Sequence, residues 1–457
     1  MIPAQDVVDL ALRTAAQSGR CDETIVIVTD RAEASLRWAG NSMTTNGVAT
    51  SRSISVISIV RQGDTARVGV QRSSVVDADA IADLVAAAEY AAHTAPEAGD
   101  AAPLLTGSAE PADWDDPVPS TGAGAFAEVA HALSAGFGRT DRLYGFAHHT
   151  VATTFLGTST GVRRRYTQPT GSVEINAKRD GASAWAGTST PWFADVSIDA
   201  MLADLSTRLD RAKHTAEMPA GRYETLMPPS TVADMMIYLS WSMEGRGAQE
   251  GRTALSAPGG GTRVGEKLTD LPLNLYSDPH AAGLECAPFV HVANSSERMS
   301  VFDNGMDIHR VDWIRDGTIN ALTYPRAAAH EFGASPTLPA DNLLMTGGTA
   351  SLADMVAATE RGLLLTTLWY IRTVDPTTLL LTGLTRDGVY LIEDGQITGA
   401  VNNFRFNESP LDLLRRATEA GRAEQTLPRE WADWATRAVM PTLRIPDFHM
   451  SSVSQAQ

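Results

Sequence analysis

The sequence predicts an α+β protein, with an N-terminal antiparallel sheet carrying helices, a central α+β unit and a β-rich C-terminal domain. Long β-prone stretches are joined by tight turns, and amphipathic helical patterns flank them instead of alternating with them. Two hairpins, Ile314-Arg315-Asp316-Gly317-Thr318-Ile319 and Ile392-Glu393-Asp394-Gly395-Gln396-Ile397, nearly repeat each other. Asp-Gly supplies the positive φ angles of a tight turn, so adjacent antiparallel strands are expected and a parallel, doubly wound sheet is not.

Element by element, Val8, Leu12 and Ala15 share one face of a helix over Asp6 to Ala16. Strands follow at Thr24 to Thr29, Ala34 to Ala39 and Ile54 to Val60, and Gln62-Gly63-Asp64 turns the chain into Ala66 to Val70. Ile81, Leu84, Val85 and Ala88 predict a helix over Ala78 to Ala92, closing a first domain at 1–94. Residues 95–124 are rich in Pro, Gly, Ala and Asp without periodicity and read as a surface connection. A second unit completes 95–220: a helix from Ala125 to Phe137, strands at Leu143 to Phe155, Val162 to Ala177 and Ala182 to Gly187, and a helix over Ile198 to Ala212. The third domain, 221–457, opens with a strand at Tyr223 to Met227. A helix is expected from Pro228-Pro229-Ser230 to about Met243, with Ser230 or Thr231 as cap and Asp234 in its first turn. Further helical pieces are expected at Leu411 to Ala420 and Glu430 to Ala438.

The 457 residues carry 37 Lys plus Arg against 54 Asp plus Glu, a formal charge of −17. No lysine-rich face is available to neutralise phosphates, which argues against nucleic acid as a partner. Cys21 and Cys286 lie far apart and outside any CxxC, so neither a disulfide framework nor a cysteine zinc site is expected, and a reducing cytoplasm fits best. The start, Met1-Ile2-Pro3-Ala4-Gln5-Asp6, has no basic, apolar leader pattern. The most apolar run, Gly362 to Ile371, is about half of the ~20 residues that a membrane span needs.

Gly157-Thr158-Ser159-Thr160-Gly161 matches the G-x-S-x-G nucleophile elbow, which would pair Ser159 with His148 or His149. An elbow needs a strand running into a helix, whereas β-like sequence lies on both sides here, so a hairpin turn is expected. Gly260-Gly261-Thr262-Arg263-Val264-Gly265 imitates a phosphate loop, but Glu266 stands where the lysine belongs. His330-Glu331 begins a zinc-protease pattern, yet Ala334 and Ser335 stand where a second histidine would face the same ion. A peptidase using His280, His291, His309 or His330 has no support in their spacing. The basic run Arg163-Arg164-Arg165-Tyr166 reads as a solvated strand edge.

Several segments carry a likeness over nearly the whole chain. They are Asn46-Gly47-Val48 leading into Ser53 to Arg61, Glu244-Gly245-Arg246 through Glu250-Gly251-Arg252 to Pro258-Gly259-Gly260-Gly261, and Phe302-Asp303-Asn304-Gly305. Tyr390 to Gly395, Asn402-Asn403-Phe404-Arg405-Phe406-Asn407-Glu408-Ser409-Pro410 and Pro441-Thr442-Leu443-Arg444-Ile445 complete the set. In order and spacing the chain resembles the TldD/PmbA family of paired peptidase subunits. In that family the TldD-type subunit carries HExxxH before the Glu-Gly element, and a cysteine near the C-terminus completes the zinc site. Aligned on Glu244-Gly245, this chain has Met236, Ile237 and Trp241 where His, Glu and His belong. Only Trp431, Trp434 and Arg437 precede Pro441 where the cysteine is expected.

The departure resembles the metal-free PmbA, or TldE-like, branch. It implies a noncatalytic cytoplasmic subunit with no cofactor of its own, paired with a zinc-bearing TldD-like paralogue that cleaves small or unfolded peptides. This chain would supply interface and chamber wall, with Arg246, Arg252, Asn403 and Arg405 as candidate contacts to substrate or partner. A stand-alone homodimeric peptide-binding or scaffold protein is the first alternative, and a serine hydrolase using Ser159 the second.

Overall fold

The computed structural model describes residues 2–75, 77–107 and 109–455. Helix α1 (Ala4–Ser18) buries Val7, Val8, Ala11, Leu12 and Ala15, and ends at Gly19 in the left-handed region (φ 60°), whose amide donates to Ala15 O. Strands β1 (Glu23–Ala39), β2 (Met43–Gln62) and β3 (Thr65–Ser73) form the expected meander, and β1 is one continuous strand. Helix α2 (Ala78–Thr94) is capped by Asp77, whose carboxylate accepts from Ala80 N at 2.8 Å. Past the irregular connection and a short 3-10 turn come α3 (Ala127–Gly136), β4 (Arg142–Thr158), β5 (Arg163–Arg179), β6 (Ala182–Ser189) and α4 (Ile198–Arg211).

These six strands make one antiparallel sheet in the order β3-β2-β1-β4-β5-β6. β1 is its centre, pairing Ile25 with Ile57 on one side and with Thr158 on the other. The boundary expected at residue 94 therefore falls between strands that share a sheet, and the connection crosses that sheet. The even-numbered side chains of β1 all face one way. Val26 and Val28 pack under α1 and α2, while Ala34, Leu36 and Trp38 pack under α3 and α4. The opposite face, with Ile25 and Ile27, takes Leu104 from the connection and Phe289 and Phe302 from the C-terminal part. A third Asp-Gly turn, Asp180 (φ 49°) and Gly181 (φ 87°), closes the β5–β6 hairpin.

The C-terminal part is a second, mixed sheet whose spine is the long strand Ala438–Val453. It runs antiparallel to Gly221–Met227 and to Glu419–Thr426, and parallel to Leu343–Met345. Both expected Asp-Gly hairpins form, pairing Ile314 with Ile319 and Ile392 with Ile397. Asp316 and Gly317 (φ 46° and 68°), like Asp394 and Gly395 (φ 48° and 75°), have the positive angles that such turns require.

Two helical expectations fail. The helix at Pro410–Arg416 stops early, and Ala420 lies in a strand, because Glu419–Thr426 finds a backbone partner in Ala438–Arg444. Residues 430–438 form a turn leading into a strand, because the Glu430 amide donates to Asp234 and its carboxylate accepts from Tyr370 N and Ile371 N. Among the described residues no helix is long and apolar enough to cross a membrane.

Candidate functional site

The resemblance places a zinc motif over residues 236–241, so the helix α5 (Pro229–Ser242) and its neighbours make up the candidate site. Pro229 starts the helix, where a missing N–H costs nothing. The expected cap is not used: the Ser230 hydroxyl donates to Leu427 O and that of Thr231 to Pro228 O. Residues 231–239 are all buried, as expected of a helix surrounded by core on every side.

Met236 and Ile237 are 1% and 3% exposed and belong to the largest apolar core. Trp241, one turn further on, reaches the surface and meets Trp431 edge-on at 4.7 Å between ring centroids. Tyr238 completes a three-ring cluster at 5.5 Å from each indole, and its hydroxyl donates to Ile371 O at 2.7 Å. The structure thus brings Trp431, from the segment before Pro441, against the end of α5. Zinc takes imidazole nitrogen, thiolate or carboxylate oxygen. A thioether, an aliphatic chain and two indoles do not fit it. Among the described residues no group of three or more His, Cys, Asp or Glu side chains is placed to hold a metal ion.

Asp234, expected in the first turn of the helix, is wholly buried. Its Oδ1 accepts from Glu430 N at 3.0 Å and its Oδ2 has no partner among the described residues. Glu430 in turn accepts from Tyr370 N (2.8 Å), Ile371 N and Arg372, holding Tyr370 at φ 53° on the surface. Burial first, then the Glu430 charge, push the Asp234 carboxyl well above the usual carboxylate range against its backbone hydrogen bonds and Arg429. A carboxyl raised on folding contributes fully below its unfolded pKa and loses that contribution as pH rises through the folded value. Asp234→Asn, which keeps the Oδ1 acceptor, is therefore expected to gain on the parent as pH rises from 4 to 8. Urea unfolding at the two ends would show the gap widening; a pH-independent gap would refute this account.

Beyond α5, Gly245 lies against the Tyr324 ring, and a Cβ there would sit 2.2 Å from the ring carbons. The half-buried Glu244 carboxyl is raised by burial and by Glu297. Arg246 pairs with Glu331, Glu250 and Glu297 and lies over Phe332, and Arg252 pairs with Glu250 at 2.7 Å and Glu297 at 3.5 Å. These two candidate contacts share one surface ion-pair network, in which Glu331 of the His330-Glu331 pair is consumed. Asn403 Oδ1 accepts from Thr385 at 3.0 Å, and Arg405 is exposed on the strand Phe404–Glu408. Arg405 stands opposite Leu384 and Ser452 in the second sheet.

The Ser159 hydroxyl accepts from Thr24 N at 3.0 Å inside the β4–β5 hairpin turn. His149 lies ten residues back along β4, ~33 Å away at strand rise, and is engaged with Thr121 (2.6 Å) and Pro191 O (2.8 Å). The elbow geometry is absent. Glu266 binds Arg263 and Arg415, which hold its carboxyl down at about 2, and the glycine run before it is a plain turn. The basic run is not a solvated edge: Arg163 pairs with Asp9, Arg164 with Asp307 and Arg165 with Asp113.

No curated protein matches the chain. Its fold matches TldE from Thermococcus kodakarensis with a TM-score of 0.80 and 15% identity, covering 97% of this chain and 99% of that one. It also matches candidate modulators of DNA gyrase from Bacteroides thetaiotaomicron (TM-score 0.78, 15% identity, 99% and 100% covered) and Thermotoga maritima (0.75, 14%, 97% and 99%). At such identity these likenesses speak for fold. The sequence family described as the PmbA/TldA metallopeptidase C-terminal domain matches residues 220–452, about half of the chain, including α5 and most of the sheet built around Ala438–Val453. The chain belongs to the PmbA/TldD metallopeptidase family, and its overall fold is like that of TldE.

Proposed function

We propose that this chain is the noncatalytic, metal-free subunit of a heteromeric TldD/PmbA-type peptidase, working in the cytoplasm on small or unfolded peptides. The zinc resides on a TldD-like paralogue. The observation that supports this is the replacement of the motif by Met236 and Ile237 in the core and by Trp241 in an aromatic cluster. What this chain offers is surface. From Met43 to Ser51 the outer edge of β2 is exposed and uncharged, and β3 pairs only from Ile54 onward. Such an edge accepts an added strand through backbone hydrogen bonds, from a partner or from an extended peptide. Of the four contact candidates, Arg405 is the exposed one outside the arginine network and the best placed to meet a ligand.

The same free edge favours a second reading, a homodimeric peptide-binding protein acting alone. Elemental analysis and light scattering on the purified chain, alone and after co-expression with its nearest HExxxH-bearing paralogue, separate the two. The expected result is no zinc on the chain alone and stoichiometric zinc in a co-purifying 1:1 complex. Stoichiometric zinc on the chain alone would overturn the proposal, and a homodimer that ignores the paralogue would favour the second reading.

A further inference from the structure

A cavity of about 470 Å³ lies between α4 and the helix Leu352–Ala357, with Pro228, just before α5, in its wall. One side is apolar, formed by Leu352, Val356, Leu364 and Ile397. The other carries the last turn of α4, with Arg208 and Arg211. Arg208 is engaged, with Asp204 at 2.6 Å and Trp185 O at 3.2 Å. Arg211 is half-buried, and its guanidinium has no ion pair or hydrogen bond among the described residues, which leaves its donors available to a ligand. Tyr390, also in the wall, is 1% exposed, and its buried hydroxyl likewise has no partner among the described residues. Buried hydroxyls are nearly always hydrogen-bonded. Arg208, Arg211 and Tyr390 all line this one cavity, so cation and hydroxyl face the same space.

We propose that this cavity binds a carboxylate joined to an apolar group, with the carboxylate on Arg211 and the Tyr390 hydroxyl and the apolar group against Leu352, Val356 and Ile397. Asp204 offsets Arg208, leaving a net charge of one cation, which matches a carboxylate better than a phosphate dianion. A guanidinium presents paired donors to the two carboxylate oxygens. The volume suits one large apolar side chain with its carboxylate. Such a ligand is either the C-terminal residue of a peptide or a free apolar acid.

Titration calorimetry on the full chain alone distinguishes the sources and does not depend on any partner. The probes are N-acetyl-Leu-Phe with a free carboxylate, its C-terminal amide, and octanoate. Saturable binding of the free-acid peptide, lost in the amide, is expected, with Arg211→Ala weakening it at least about tenfold. Tyr390→Phe, which removes only the hydroxyl, should weaken it about threefold to tenfold without lowering the melting temperature. Octanoate binding as well as the peptide assigns the site to free acids, and failure of octanoate alone assigns it to peptide C-termini. Binding of neither acid, or binding that survives Arg211→Ala and Tyr390→Phe unchanged, overturns the proposal.

Discussion

Ile237→Glu is expected to destabilise the C-terminal part by more than about 3 kcal/mol, because it buries a carboxylate with no cation or donor to meet it. The position is 3% exposed, between Met236 and Tyr238 on a helix with no solvent face until its last turn. Ile237→Val, which only trims the side chain, should cost about 0.5–1.5 kcal/mol. Urea denaturation followed by tryptophan fluorescence reports on this region directly, since Trp241 and Trp431 sit on the same helix end. A glutamate variant with the parent's midpoint would show that residue 237 faces a polar, hydrated space, and the core account of α5 would fall. Restoring His, Glu and His across 236, 237 and 241 is for the same reason expected to unfold the helix's surroundings before it recruits any zinc.

Arg429→Ala is expected to cost about 3–5 kcal/mol, as when one partner of a buried ion pair is removed. Arg429 lies over Trp185 (5.1 Å) and Trp369 (4.9 Å), one from each sheet. It binds Glu174 at 2.9 Å and Asp387 at 3.7 Å, both largely buried. Asp387 also accepts from Asn176 (3.1 Å) and Ser183 (2.7 Å) of the first sheet. The side chain therefore clamps β5 and β6 to the second sheet, and its loss leaves Glu174 and Asp387 desolvated, with Arg386, 3.9 Å from Asp387, as the remaining nearby cation. Arg429→Lys should fall between parent and alanine, because an ammonium keeps the charge but loses the planar fork and the stacking. Hydrogen exchange should show lost protection in β6. A loss under 1 kcal/mol with β6 still protected would mean that the sheets hold together without this clamp.

Local chemistry made much of this fold legible. Apolar periodicity placed α1 and α2, the Pro228-Pro229-Ser230 start placed α5, and Asp-Gly placed both hairpins, because these signals act over a few neighbouring residues. The same kind of reading failed at 430–438, where a helical piece was expected. What holds that segment as a turn is Asp234, nearly two hundred residues away, taking the Glu430 amide. Neither residue carried a motif that could have announced the pairing. The basic run at 163–165 misled for the same reason, since its three carboxylate partners come from distant segments.

By itself, then, the sequence determined the α+β class, the family resemblance and the absence of zinc-binding chemistry at 236, 237 and 241, because donor atoms belong to residue types. Only the tertiary structure decided that Met236 and Ile237 are core, that Arg246 and Arg252 spend their charge on Glu250, Glu297 and Glu331, and that Arg211 and Tyr390 meet unpartnered at one cavity. Burial and pairing depend on which distant segments pack together, and that is settled by the summed burial of whole surfaces, which no short stretch of sequence contains.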